Sequence, residues 1–185
     1  IPEIGSYVAN IELLQESASA GGFFSIIPDA DGVIRRAPML MQHGGRIYGS
    51  LSLEVSQLYM QTPQLELRTA PIGDYQALES ISLDGFLDVP VDGAGNALIP
   101  NRGPAGSFHY ISAADVLNGE VPDDLLQSAI ALFGTTAVGI YDTRATPVES
   151  VYPGVEVHAN LIAGILDGSF PTVPSWALGA NVGLL

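Results

Sequence analysis

His158 carries the widest chemical latitude in this 185-residue chain, because an imidazole titrates near neutrality and can hold, give or take a proton. The other two histidines, His43 and His109, stand at no metal-ligand spacing to it or to each other. The one acid/base pair that can be assembled is His158 with Asp142, the pair a small-metabolite hydrolase would use if the fold brought them together. Four further residues suit ligand binding. Thr135 and Thr136 offer hydroxyls in Gly134-Thr-Thr-Ala137, Thr146 offers one before Pro147, and Arg102 lies in Asn101-Arg-Gly-Pro104. A planar guanidinium can clamp a ligand carboxylate; the alternative for Arg102 is an ion pair with one of the chain's 20 carboxylates. Asp142 and Arg144, two apart, read as a loop anchored by its own ion pair. His158 stays open between a hydrogen-bonded core histidine and a ligand-facing group.

Other constellations are excluded. There is no Gly-x-Ser-x-Gly nucleophile elbow and no complete Gly-x-Gly-x-x-Gly fingerprint. Asp29-Ala-Asp-Gly32 opens like a calcium loop, but the fifth and twelfth positions are Val33 and Leu40, which cannot ligate the ion. The chain has neither cysteine nor lysine. Thiolate nucleophiles, thiolate metal sites, disulfides, Schiff-base lysines and P-loop lysines are all ruled out. The reading is no catalytic residue, no metal and no cofactor.

The elements that must position these residues form an α/β pattern. Gly22 to Met41 reads as a β-hairpin, two apolar runs flanking the turn residues Pro28-Asp-Ala-Asp-Gly32. Strand alternation then sends Arg35 and Arg36 to opposite faces, one paired and one solvated. Leu51, Val55 and Leu58 recur at helical spacing, predicting a helix over 50–60. Residues 65–100 read as strands, with 86–89 and 97–99 paired around Asp92-Gly-Ala-Gly-Asn96. Phe108–Ile111 reads as another strand. Ser112 caps a short helix ending at Asn118-Gly119, and Pro122 starts a second. Ala129-Ile-Ala-Leu-Phe133 is a continuous apolar run, as expected of a strand buried on both faces. A last helix runs from about 155 to 166, with His158 in its first turn turned toward the sheet and Asn160 on the opposite arc in a local hydrogen bond. The fold class expected is α/β: one domain, a mixed β-sheet flanked by helices, with a β-hairpin near the N-terminus. Arg102, Thr135, Asp142 and His158 would then meet at one sheet edge.

Composition narrows the partners. A 47% apolar content fits a folded domain. A net charge of −14 with six arginines argues against nucleic acid, since duplex contact needs clustered cations.

Five signatures lie in fixed order: Asp29-Ala-Asp-Gly-Val-Ile-Arg-Arg36, Asn101-Arg-Gly-Pro104, Gly134-Thr-Thr-Ala137, Asp142 with Thr146-Pro147, and Pro153-Gly-Val-Glu-Val-His-Ala-Asn160. In that order the chain resembles the second type of CHASE domain, over about residues 20 to 170. That family comprises extracellular sensory modules of bacterial cyclases and histidine kinases. The resemblance implies a receptor's outer half on the periplasmic side of the inner membrane. It is followed by transmembrane helices and a cytoplasmic effector of the same chain, and responds to a small-molecule or protein signal, with a homodimer as a further partnership. Residues 1–170 would be the C-terminal portion of the sensor domain. Residues 171–185, where Trp176 leads an uncharged run, would be the juxtamembrane segment and the start of a membrane helix. The runner-up is a structural dimerisation module without ligand.

Overall fold

The computed structural model describes residues 1–62, 64–72, 74–135 and 142–172. Thr136 and the segment 173–185 of the expected membrane entry lie outside the described residues.

A short helix α1 (Glu12–Ser17) buries none of its residues. Strands β1 (Arg36–Pro38), β2 (Leu40–His43) and β3 (Arg46–Gly49) follow, β2 and β3 forming an antiparallel hairpin. Ser50 then starts α2 (Leu51–Met60), its Oγ accepting the Leu53 amide at 3.3 Å. Strands β4 (Leu65–Ile72), β5 (Tyr75–Leu83) and β6 (Leu87–Pro90) make a three-stranded antiparallel sheet in that order. β7 (Asn96–Leu98) turns back to pair with β1. Helices α3 (Ala113–Leu117) and α4 (Asp123–Leu126) lie on the surface with no buried residue. The two-residue strands β8 (Thr143–Arg144) and β9 (Tyr152–Pro153) pair and deliver the chain into α5 (Gly154–Asp167).

α5 is the organising element. Val157, Leu161, Ile162 and Ile165 are at most 4% exposed. Each such burial stabilises by about 1.5–3 kcal/mol before entropy is counted. Of these, Val157, Leu161 and Ile165 pack with Leu53 of α2 and, from the sheet, Ile81, Leu83 and Val89 in one core. The helix ends where Gly168 adopts φ 62°, its amide donating to Ile165 and the Ser169 amide to Gly164, so two terminal carbonyls are satisfied.

The α/β single-domain class expected from sequence is what forms, and helices 50–60, 112–118 and 155–166 fall where they were placed. A hairpin is present near the N-terminus, at residues 40–49 rather than 22–41. The Asp29–Val33 turn closes, with the Asp29 amide on the Val33 carbonyl at 3.0 Å, but the flanking runs take other partners. Phe23 bridges to Ser50, and Val33 bridges in parallel to Ala145. Residues 86–89 and 97–99 do not pair with each other, because β6 lies on β5 and β7 on β1. Phe108–Ile111 forms no strand, and neither does Ala129–Phe133, where Phe133 is 88% exposed. Arg35 and Arg36 are both paired: Arg35 with Asp29 and Asp31, Arg36 with Asp29 and Asp92. The Arg35 hydrogen bond holds the Asp31 carboxyl down at about 2.

Candidate functional site

At 100° per residue, Glu156 and Asn160 share one stripe of α5 while His158 points the other way. The structure uses both directions. On the first stripe Glu156 and Asn160 receive backbone amides of the 101–107 loop, and Glu149, ahead of the helix, receives a third. The Arg102 amide donates to Asn160 Oδ1 at 2.9 Å, the Gly106 amide to Glu156 Oε1 at 2.7 Å, and the Ala105 amide to Glu149 Oε2 at 2.9 Å. The Arg102 guanidinium closes the far end on Asp167. The loop is thereby fastened along about 16 Å of helix, from Glu156 to Asp167.

Asn160 is fully buried and spends its amide nitrogen on the Tyr152 hydroxyl at 2.9 Å and the Glu156 carbonyl at 2.8 Å. Burial, foremost, pushes the Tyr152 phenol up to about 12, and the neighbouring Glu156 carboxylate adds to the push. Glu156 is 2% exposed, and its second oxygen, Oε2, has no hydrogen-bond partner. A carboxylate half-satisfied in the interior is costly.

On the other side, the His158 ring meets Ser52 of α2, Nδ1 to Oγ 3.4 Å, and the Phe24 backbone. Burial lowers its pKa, opposed by the Phe24 hydrogen bond and the charge of Asp142. His158 therefore joins α5, the start of α2 and the 22–24 segment. It does not face the sheet, as the helical arc suggested, because α2 and not the sheet covers that side of α5.

The expected site residues divide into groups. Asp142 stands over the start of α5: its carbonyl accepts the Gly154 amide at 2.8 Å, and its carboxylate pairs with Arg144 at 2.8 Å. The Asp142–Arg144 pair thus anchors the loop as read from sequence. Gly134 approaches Val155 so closely that an added Cβ would lie 2.7 Å from the Val155 Cβ, which places Thr135 beside the same first turn. Thr135, Asp142 and His158 are thus brought to the N-terminal half of α5. Arg102 and Thr146 are not with them. The Arg102 guanidinium lies at the opposite end of the helix, and Thr146 is spent on a turn, its Oγ1 donating to the Glu149 carbonyl at 3.1 Å. Thr136 lies outside the described residues.

A shallow groove of about 290 Å³ opens next to Asp142, between Ile26 and Pro28 on one wall and Thr143, Arg144 and Ala145 on the other. None of the five described candidate residues lines it. Among the described residues no three His, Asp or Glu side chains converge as a metal centre, and no helix is long and apolar enough to cross a membrane.

Glu156 and Tyr152 were not singled out by sequence reasoning, and Asn160 was given only a local hydrogen bond. The available signal was the i, i+4 spacing of Glu156 and Asn160, which puts two hydrogen-bonding side chains on one stripe of an otherwise apolar helix.

The chain belongs to the CHASE2 domain family, whose model matches residues 4–185. That family is an extracellular sensory one, found in signalling proteins. No curated protein and no solved structure matches the chain.

Proposed function

We propose that this chain is the extracytoplasmic sensory domain of a transmembrane receptor, and that it binds its signal where Thr135, Asp142 and His158 surround the first half of α5. The observation that carries the reading is the concentration of family signatures on one element. Pro153–Asn160 builds the start of α5, Asn101–Pro104 is fastened to it, and Asp142 sits over its first amide.

The mechanism is a population shift between two packings of that helix. Arg144 of the Asp142–Arg144 pair lines the groove, so an anionic ligand can take its guanidinium and release Asp142. The Gly154 amide would follow Asp142, and the half-satisfied Glu156 would follow the helix. α5 would carry the displacement past Asp167 into residues 171–185, the proposed entry to the membrane. Thr136 joins this site in the proposal through its place next to Thr135. Arg102 and Thr146 act at a distance, by holding the 101–107 loop and the 146–149 turn.

The test is calorimetric titration of the chain with a panel of small carboxylates, phosphates and amines, each followed by product analysis. Saturable binding without turnover, weakened at least tenfold by Asp142→Asn and by His158→Gln, is expected. Turnover lost on His158→Gln would establish the hydrolase instead, and binding indifferent to both substitutions would remove the site from α5.

A further inference from the structure

Among the described residues the three-stranded sheet ends on β4, and no strand pairs with its outer edge: Glu66, Leu67, Arg68 and Thr69 are all exposed. Which of its backbone groups face outward follows from the hydrogen bonds. The Asp84 amide donates to the Gln64 carbonyl, so Gln64 faces β5, and alternation turns Leu65, Leu67 and Thr69 away from it. The irregularity between Arg68 and Thr69 is an extra residue, Glu79, on β5, so β4 itself stays in register.

The sequence of this edge is complementary to itself. In an antiparallel pairing centred on Leu67, each Leu67 exchanges both backbone bonds with its twin, and Leu65 exchanges both with Thr69 of the other copy. Glu66 then falls opposite Arg68, twice over by symmetry. Leu67 is 44% exposed, yet its neighbours along the same row, Ile81 and Val89, are fully buried. A second Leu67 extends that row across the interface. On the opposite face, Glu66 of one copy comes beside the Arg68–Asp88 pair of the other, now 2.7 Å long within one chain. Prolines at 63 and 71 lie four residues to either side of Leu67. They lack amide donors, so the ladder stops at both ends and one register is favoured over its slips.

We propose that two copies of this chain associate through β4, Leu67 on Leu67, into one continuous six-stranded antiparallel sheet.

The absence of native cysteine makes the test clean. Opposed residues in a hydrogen-bonded pair lie about 5.5 Å apart at Cα, within disulfide reach. Leu67→Cys is therefore expected to cross-link into a dimer under mild oxidation. In sedimentation equilibrium, Glu66→Arg or Arg68→Glu alone, by setting like charges opposite each other, weakens association about tenfold or more. An equimolar mixture of the two variants restores it, since two arginines then face two glutamates. A monomer at every concentration overturns the proposal and leaves the edge to another occupant. So does a dimer that ignores both charge changes, or one in which Leu67→Cys fails to cross-link.

Discussion

Asn160→Ala should unfasten the 101–107 loop from α5, and the size of the effect follows from the bonds. Asn160, itself fully buried, receives the Arg102 amide in a part-buried bond and donates to the Tyr152 hydroxyl and the Glu156 carbonyl in buried ones. A buried hydrogen bond contributes about 1 kcal/mol net, and a stranded buried donor costs about 1–3 kcal/mol. Three such bonds are lost, so a loss of about 3 kcal/mol is expected. For a chain of this size that is roughly 6–12 °C in melting temperature. Urea unfolding gives the free energy, and amide hydrogen exchange at Arg102 and Gly106 shows whether the loop has come loose. Asn160→Asp should be worse, although it keeps the acceptor for Arg102. It deletes both donated bonds and sets a second carboxylate near the buried Glu156. A loss below about 1 kcal/mol, with exchange at Arg102 unchanged, would refute the view that Asn160 is the fastening.

Three further outcomes are expected. Folding lowers the His158 pKa from its ordinary 6.5, so the unfolded chain takes up that proton first; the stabilisation is whole above about pH 7 and is lost as pH falls through 6.5 toward the lowered folded value. His158→Gln should remove that slope, at most about 1.4 kcal/mol per pH unit, as pH falls from about 7 through 6.5 in unfolding measured against wild type. Gly164→Ala should cost about 1–3 kcal/mol in the same assay, since its new methyl group would press into the Pro100 ring, with Phe170 also 3.3 Å away. Arg102→Ala, which breaks an exposed pair with Asp167, should cost less than about 1 kcal/mol, and high salt should erase the difference.

What the sequence showed and hid follows the range of the interactions. α2, α3 and α5 were legible because their boundaries are local: Ser50 and Ser112 accept amides two or three residues ahead, and Gly168 closes the last turn of α5. Strand partners were not, because β1 finds β7 about sixty residues on, and no short window holds that choice. The Ala129–Phe133 run misled because apolar content without period does not separate a buried strand from an exposed segment. The site divided along the same line. Asp142 and Arg144 were read as a loop-anchoring pair, and they are one. His158 was expected to face the sheet, but its partners are Ser52 and Phe24, more than a hundred residues upstream. Asn160 was given a local bond. It makes that bond, to the Glu156 carbonyl, and also the distant one to Arg102 that matters more to the loop.

The central claim is that the packing of α5 sets the state of an effector across the membrane. The most direct measurement is the effector output of the full-length protein in membrane vesicles, wild type against Asn160→Ala. The account predicts that loosening the 101–107 loop from α5 changes that output several-fold while the amount of inserted protein and the isolated effector's own activity stay constant. Output identical in the two proteins, with the loop shown by hydrogen exchange to be loosened, would contradict it.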